Sequence, residues 1–398
     1  MKPRTSSLIG FIACGLLACS GAAQNLPKLK PYSTVIPAPG FDFADAETTA
    51  ITGSGLQVWT TTLKATKNGK SYPVTMVGHS PFSSTTTTNI PVAIVPVIIN
   101  INGTVFNPTV ADTKCMVAPN NVPLTVFRQS PLFGNATYTM GGVNVGTTQY
   151  TDAYQRANFW KVISPTYHTR LSTITVKTAQ TYKAPTGSGA VYSTSTFGNG
   201  GCGPKKNPLG QFGIIDINAF DAWVNGTALL KAAATSNELV ILLIYNVVMS
   251  NGAPVTANCC ILGYHGATAG PPNGQTYSPM EFDQTGIFGT TVSDTSIAAH
   301  EIGEWMDDPY GRNAVPAWGG IGQVSACQSN LENGDPLSGS LAPSVKMSNN
   351  YIYHLQELAY FGWFFNAKTT PSISAGGKFS NAGKFTGPAK VCPPGGTF

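Results

Sequence analysis

The sequence predicts an α+β fold with a β-rich first half and a second half in which strands alternate with helices. Residues 89–101 and 238–249 are long apolar runs rich in Val and Ile, a composition typical of buried strands. Residues 294–308 are predicted to form a helix, which Pro309 and Gly311 would end. Only 10% of the residues are charged, while Gly, Thr, Ser, Asn and Pro are plentiful, which favours an exported protein with many turns.

The first residues have the order of a secretory signal peptide: a basic start, an uncharged apolar run at residues 8–18, and then small residues. We therefore predict a signal peptide over residues 1–23. The apolar run is shorter than the roughly 20 residues that span a bilayer, which argues against a permanent membrane helix. Leu-Leu-Ala-Cys at residues 16–19 resembles a lipobox, so lipid anchoring at Cys19 is the alternative to simple cleavage. The predicted location is secreted, extracellular or periplasmic, with no membrane span.

Three regions are predicted after the signal peptide. Residues 24–50 are rich in Pro and aperiodic, and they are predicted to form an extended arm. Residues 51–185 form a β-rich region. A Gly- and Ser-rich segment at 185–206 is predicted to be a long loop or a junction. Residues 207–398 form the mixed region, which contains the helix at 294–308.

In the first half, runs of β-branched and apolar residues between Thr- and Ser-rich turns predict the strands. These strands are residues 56–63, 72–77, 89–101 and 171–182. Two short helices are predicted between them, at residues 124–128 and 152–162. The second of these has its apolar side chains on one face.

In the second half, the pattern alternates between strand and helix. The predicted strands are residues 212–217, 238–249, 259–265 and 276–288. A short helix is predicted at residues 219–224, and Ser293 or Asp294 is expected to cap the start of the helix at 294–308. The strand at 259–265 is expected to run close to that helix.

The number of cysteines is typical of an exported protein. The chain has eight, and removing Cys14 and Cys19 of the signal region leaves six, an even number that predicts disulfides in an exported protein. Their wide and irregular spacing argues against a small zinc-binding module. Neighbouring residues on a strand point to opposite faces, so Cys259 and Cys260 are expected to bond to different partners.

The strongest chemical signal is the sequence His-Glu-Ile-Gly-Glu, which begins at His300. On a helix, His300 and Glu304 share a face, and an imidazole nitrogen and a carboxylate oxygen are both good zinc ligands. Glu301 lies one step round the helix, where His-Glu-x-x-His enzymes place their general base. A catalytic zinc needs a third protein ligand. Glu332 is the first candidate and Asp335 the second.

Other interpretations of these residues stay open. A solvated acidic helix has a similar pattern, but the apolar residues 297–299 and 302 predict burial, and buried carboxylates need partners. Asp335 stands in Asn-Gly-Asp-Pro, which is equally well explained as a turn. Calcium prefers all-oxygen ligands, so His300 favours zinc over calcium. His265 ends a predicted strand and is a further candidate for the site.

The order of these motifs resembles the Exordium or phosphate-induced-protein family and its bacterial relatives. Those proteins carry a CGFH-like strand end, an H-E-[LI]-x-E helix that stops at [DN]-P, and an E-I-G-D segment. The corresponding motifs here are Cys260 to Gly266, His300 to Glu304 with Asp308-Pro309, Trp318, and Glu332-x-Gly334-Asp335. The resemblance covers residues 210 to 340 or so, and it implies a zincin-like, metal-dependent hydrolase fold in an exported or cell-wall protein.

The chain departs from that family in two places. Extra residues separate Cys260 from His265, and the Cys that follows the E-I-G-D segment is absent, since Leu337 or Ser338 stands there. The resemblance therefore supports the metal site better than it supports any particular substrate.

Two functions follow as hypotheses. The first is a secreted zinc-dependent hydrolase, metallopeptidase-like, that acts on a peptide or protein. The second is a non-catalytic extracellular or cell-surface binding protein with a structural Ca²⁺ or Zn²⁺, or with no metal. The net charge of +5 is spread thinly without a Lys/Arg block, which argues against nucleic-acid binding. No G-x-S-x-G sequence is present, which argues against a serine hydrolase.

Overall fold

The computed structural model of the chain describes residues 28–39, 55–66, 68–197, 210–365, 371–373, 378–387, 389 and 392–393. The predicted signal peptide and the lipobox cysteine lie outside the described residues. None of the helices in the described part of the chain has the length and apolar character needed to cross a membrane.

The described elements are strands in the majority, with short helices between them. The strands of the first half are β1 (Tyr32–Ile36), β2 (Val58–Lys64), β3 (Ser71–Val77), β4 (Thr87–Ile101), β5 (Thr104–Phe106), β6 (Ala136–Met140), β7 (Val143–Thr148), β8 (His168–Val176), β9 (Gln180–Lys183) and β10 (Gly189–Ser193). The strands of the second half are β11 (Gln211–Asp216), β12 (Leu239–Tyr245), β13 (Val247–Ser250), β14 (Cys259–Ala267), β15 (Thr276–Phe282), β16 (Ala314–Ile321), β17 (Val324–Asn330), β18 (Val345–Lys346) and β19 (Ile352–Tyr353). The α-helices are α1 (Pro123–Arg128), α2 (Tyr150–Asn158), α3 (Ile217–Trp223), α4 (Leu229–Lys231), α5 (Ser296–Asp307) and α6 (Phe361–Phe365).

A mixed sheet lies at the centre, so the predicted α+β class is confirmed. Among the described residues it has 11 strands, in the order β10-β11-β13-β14-β15-β12-β4-β5, with β1 on β14 and with β8 and β9 on β4. β4 from the first half pairs in parallel with β12 from the second half. Strands of the two predicted regions therefore belong to one sheet, and β1, from the predicted arm, pairs with β14 as well.

The central strands of the sheet are buried on both faces because they are largely apolar. In β12, Leu239, Ile241 and Leu243 pack on one side of the sheet, and the residues between them pack on the other. Every residue of β12 is buried. A side chain of this size stabilises the fold by about 1.5–3 kcal/mol when it is fully buried. Helix α5 covers β14 and β15, as the sequence predicts for β14.

Three predicted strands are interrupted. The strand predicted at 171–182 is divided into β8 and β9. The run at residues 238–249 is divided into β12 and β13 by Asn246, whose φ is +53° and whose side-chain oxygen accepts a hydrogen bond from the backbone N–H of Gln284 at 2.8 Å. The strand predicted at 276–288 ends at Phe282. Beyond it, Asp283 and Thr285 form a turn in which the Asp283 carboxylate accepts hydrogen bonds from Thr285.

The predicted cap of helix α5 is wrong. The helix begins at Ser296 with Thr295 as its N-cap, and no side chain caps it. The Asp294 carboxylate turns away from the helix and accepts hydrogen bonds from the backbone N–H of Thr295 at 2.5 Å and of His354 at 2.9 Å. Asp294 therefore joins the start of the helix to the segment that contains His354.

The predicted pairing of the adjacent cysteines is also wrong. Cys259 and Cys260 form a disulfide with each other. The prediction assumed a regular strand, but the register of β14 against β13 shifts at this point, so the simple alternation of faces does not hold. A second disulfide joins Cys327 to Cys392, and Cys115 is also disulfide-bonded.

Glycine at position 263 allows α5 to lie close to β14. A Cβ at Gly263 would be 2.8 Å from Glu301 Cγ and 2.8 Å from Ile297 Cγ2, which is closer than real Cβ atoms approach. The backbone of β14 at Gly263 therefore packs directly against the side chains of Ile297 and Glu301 on α5. This close contact brings the end of β14 near the ionisable residues of the helix.

We expect Gly263→Ala to lower the free energy of unfolding by about 1–3 kcal/mol, because the added methyl group overpacks this contact. Urea unfolding of the purified protein measures the change. Gly226→Ala is the matched control, because nothing lies within 4 Å of a Cβ at Gly226. Equal stability of Gly263→Ala and the control would contradict the close contact.

Candidate metal centre

The candidate site is built from three segments that meet at helix α5. The helix contributes His300, Glu301 and Glu304, and it is buried along its whole length. β14 contributes His265, one of its last residues. The segment after β17 contributes the remaining carboxylates, Glu332 and Asp335. All six side chains are buried, with Asp335 the most exposed at 4%.

His300, Glu304 and Asp335 form the first group of donors. His300 Nε2 lies 2.9 Å from Glu304 Oε1 and 3.4 Å from Asp335 Oδ1. Neither contact has the alignment of a hydrogen bond, so His300 Nε2 has no hydrogen-bond partner among the described residues. Ligands of a tetrahedral zinc ion are roughly 3.3 Å apart, given zinc–ligand distances of about 2.0–2.1 Å. The spacing of these atoms is that of donors converging on one ion.

His265, Glu301 and Glu304 form the second group. His265 Nδ1 lies 3.4 Å from Glu301 Oε2 and 3.9 Å from Glu304 Oε2. On its other side, His265 Nε2 donates to the carbonyl oxygen of Asp308 at 3.1 Å. That hydrogen bond keeps a proton on Nε2 and leaves Nδ1 facing the carboxylates, where it donates to Glu301 when the ring is protonated and offers a lone pair to a cation when the ring is neutral. The three donor atoms of each group lie within 4.8 Å of one another.

Glu304 belongs to both groups and is held in place by backbone. Its Oε1 accepts hydrogen bonds from the N–H groups of Gly334 at 3.0 Å and of Asp335 at 3.2 Å. Its Oε2 has no hydrogen-bond partner among the described residues. Burial alone would raise the pKa of Glu304, but the charges of His300 and His265 outweigh burial and lower it. Glu304 is therefore the carboxylate of the site that is best stabilised in its charged form.

Glu332 lies beside Glu304 but belongs to neither group of three donors. Burial, and then the charges of Glu304 and Asp335, raise the pKa of Glu332 well above its ordinary value. A hydrogen bond between the Glu332 and Glu304 carboxyl groups requires one of them to carry a proton. Without that proton, neither oxygen of Glu332 has a partner. The geometry thus favours Asp335 over Glu332 as the third ligand beside His300 and Glu304.

Amide side chains that the sequence analysis did not identify hold Asp335 and its segment. Gln328 Nε2 donates to Asp335 Oδ2 at 2.8 Å, and Gln323 Nε2 donates to Asp335 Oδ1. Asn333 Nδ2 donates to the carbonyl of Gly303 at 2.9 Å and to Asp307 Oδ2 at 2.6 Å. Asn333 lies in the segment that the sequence analysis proposed for ligands. The two glutamines had no comparable signal, because polar residues on a hairpin are usually exposed.

Asp307 lies seven residues after His300, two turns along the same helix, and its role is structural. Its carboxylate accepts hydrogen bonds from Gln155 at 2.5 Å and from Tyr154 at 3.1 Å, in addition to Asn333. Burial raises the pKa of Asp307 to about 7. These contacts fasten α5 to α2 and to the ligand segment.

The other histidines take part in separate interactions. His354 Nδ1 lies 2.6 Å from Asp294 Oδ2, and His168 Nδ1 lies 2.7 Å from Asp152 Oδ2. Neither belongs to the two donor groups, and His79 does not either.

The residues present fit a metal ion. His300 Nε2, Glu301 Oε1, Glu304 Oε2 and both oxygens of Glu332 are buried and have no hydrogen-bond partner within the described residues. Buried polar atoms without a hydrogen-bond partner destabilise the fold, and a cation coordinated by these atoms would remove that cost. The buried His, Glu and Asp clusters can therefore hold a metal ion.

The comparisons with known proteins give no relative. The chain matches no protein-family model, and no curated protein or solved structure is significantly similar to it. The resemblance to the Exordium family consequently stays a prediction that depends on the motif residues alone.

The glycine at position 334 fixes the position of the His300 ring. A Cβ at Gly334 would lie 2.6 Å from His300 Cγ and 2.7 Å from its Cδ2 and Nδ1. Only a residue without a side chain leaves room for the imidazole at this distance. The ring is therefore packed between α5 and the backbone of the segment after β17.

We expect Gly334→Ala to lower the affinity for Zn²⁺ about 10–100-fold, the usual cost of misplacing a ligand through its supporting contacts. Competition with a chromophoric chelator measures the affinity. Gly226→Ala should leave it unchanged, because a Cβ there meets nothing within 4 Å. Wild-type affinity in Gly334→Ala would show that the ring position does not govern metal binding.

Proposed function

We propose that this chain is an exported, zinc-dependent hydrolase, metallopeptidase-like, that acts on a peptide or protein. The observation that carries the proposal is the convergence of His300, Glu304 and Asp335 beside Glu301, another buried carboxylate with an unpartnered oxygen. Metal ligands and a free base side by side are the requirements of metal-assisted hydrolysis.

The donor set favours zinc. An imidazole nitrogen in each group suits Zn²⁺ or another late transition metal, whereas Ca²⁺ and Mg²⁺ prefer oxygen donors alone. His300, Glu304 and Asp335 would hold the ion. A zinc ion bound there would supply Lewis acidity to the reaction.

Glu301 is the proposed general base. Burial raises its pKa above the ordinary value, although hydrogen bonding to His265 and the charge of His300 oppose the shift. A raised pKa makes this carboxylate a better proton acceptor near neutral pH. Its Oε2 faces His265 at 3.4 Å, which leaves Oε1 to accept a proton from the attacking water. His265 orients Glu301 through this contact and is itself oriented by the carbonyl of Asp308.

Burial of the site favours a second candidate function. The six side chains are at most 4% exposed, and a catalytic zinc needs an open position that a substrate can reach. A cavity of about 410 Å³ is lined by Asp112, Lys114 and Tyr245 among others, and by none of the six. A non-catalytic extracellular or cell-surface binding protein with a structural metal fits this burial.

Removal of His300 tests the metal. Purified wild-type protein should carry at least one zinc ion per chain, and His300→Ala should lose the ion of its group, because the remaining carboxylates hold zinc poorly without an imidazole. His79→Ala is the matched control and should keep the wild-type content. Elemental analysis after dialysis gives the stoichiometry. Wild-type protein without zinc refutes the proposal, and calcium in its place favours the binding protein.

Two glutamate variants separate binding from catalysis. Glu301→Gln should keep at least one zinc ion per chain, yet peptide hydrolysis should fall about 10²–10⁴-fold, because an amide cannot accept the proton. Glu304→Gln should lose metal as well as activity, since Glu304 belongs to both donor groups. Glu238→Gln is the control for a buried glutamate outside the site, because the carboxylate of Glu238 pairs with Lys177.

The readouts are zinc content and turnover of a general peptide substrate. If Glu301→Gln retains no zinc, or retains activity, Glu301 is not the base. If the zinc-loaded wild type hydrolyses no peptide, the binding-protein function replaces the enzyme.

A further inference from the structure

We propose that the site holds two divalent metal ions, bridged by the Glu304 carboxylate. One ion would lie in the group of His300 and Asp335, and the other in the group of His265 and Glu301. This inference rests on the proposed metal-binding function, and it adds a second ion that neither the motif nor the resemblance predicts.

The first argument is the way in which Glu304 faces the two groups. Its Oε1 is the atom nearest to His300, at 2.9 Å, and its Oε2 is the atom nearest to His265, at 3.9 Å. A carboxylate that directs one oxygen to each of two donor groups has the geometry of a bridging ligand. The hydrogen bonds from Gly334 and Asp335 to Oε1 hold it in that orientation.

The second argument is that each group is a ligand set of its own. Each has one imidazole and one carboxylate besides Glu304: His300 with Asp335, and His265 with Glu301. Ligands on opposite sides of a single zinc ion are about 4.2 Å apart, twice the metal–ligand distance. The described donors gather into two sets of three, each within 4.8 Å, rather than into one set of five. A single ion can be coordinated by either set of three donors, but not by all five residues at once.

The third argument is charge. Glu301, Glu304, Glu332 and Asp335 are all buried, and they would carry four negative charges once bound cations had displaced their protons. The two imidazoles are neutral when they ligate metal. One divalent cation would balance half of that charge, and two would balance all of it. Buried charge without a partner is strongly destabilising, so the composition of the cluster matches two cations.

The fourth argument is the supply of further donors. Both oxygens of Glu332 are buried without a hydrogen-bond partner, and Glu332 lies beside Glu304. It is therefore a further buried carboxylate beside the proposed bridging residue, outside both groups of three donors. Glu301 ligates through Oε2, the oxygen that faces His265, while Oε1 remains unpartnered. The role of Glu301 as a proton acceptor is thus compatible with a second ion.

Two ions about 3.5–4 Å apart are the arrangement found in aminopeptidases, among other hydrolases. The inferred substrate class is therefore the peptide amide of the proposed function. A mononuclear peptidase site does not require His265 as a ligand, so His265 is the residue that distinguishes the two arrangements.

The experiment measures metal stoichiometry in the full mature chain. Zinc is loaded by dialysis, loosely bound metal is removed by a weak chelator, and elemental analysis is combined with native mass spectrometry. Wild type should retain two zinc ions, whereas His265→Ala and His300→Ala should each retain one. Glu304→Gln should retain at most one, and His79→Ala should retain two.

His265→Gln guards against misfolding, because an amide can keep the hydrogen bond to the Asp308 carbonyl without offering the imidazole lone pair. It should also bind one zinc ion. As an independent readout, the visible absorption of Co²⁺ should saturate at two equivalents in wild type and at one in His265→Gln.

The outcomes separate this inference from the proposed function. One zinc ion in wild type, retained in full by His265→Gln, overturns the two-ion site and leaves a single-ion hydrolase. No zinc in wild type overturns both. Two zinc ions in wild type that both persist in His265→Gln show that the second ion lies elsewhere, which also overturns the inference.

Discussion

The Glu304 carboxylate is the contact on which the arrangement of the site depends. It accepts two backbone N–H groups from the segment after β17, it faces His300 on its own helix, and it faces His265 on β14. A single buried side chain thereby connects three parts of the chain that are distant in sequence. Burial has the largest effect on the pKa of its neighbours, and the negative charge of Glu304 acts against burial to raise the pKa of His300 and adds to burial in raising that of Glu332. Any ligand that binds in the site must therefore compensate the negative charge of Glu304.

Close packing around helix α5 is the second requirement. Gly263, Gly303 and Gly334 each stand where a Cβ would come within 2.8 Å of a neighbouring side chain. At Gly263 the neighbour is Glu301, and at Gly334 it is the ring of His300. The side chains of the site are thus positioned by backbone that approaches them directly. Their rotamers have little freedom, which preorganises the donors before any ligand binds.

The local spacing of residues could predict part of this site. The contacts between segments that are distant in sequence could not be predicted. The four-residue interval placed His300 and Glu304 together because helical geometry depends on local sequence alone. The choice between Glu332 and Asp335, and the contact between His265 and Glu301, depend on how distant segments meet. The cap at Asp294 was mispredicted for the same reason: its carboxylate has a distant partner, the backbone of His354. The long strands β4 and β12 were both predictable from their apolar runs, while their pairing with each other was not.

Metal binding and folding are coupled in a site of this kind. Without a cation, the buried carboxyl groups must keep some of their protons: burial, and then the charge of Glu304, raise the pKa of Asp335 to about 7. A metal ion that enters the cluster has to displace those protons, so its affinity falls as the pH falls below that value. The ion in turn removes the repulsion between Glu304 and Glu332, which only a shared proton relieves in its absence. The free energy of binding a metal ion in this buried cluster would therefore also contribute to the free energy of folding.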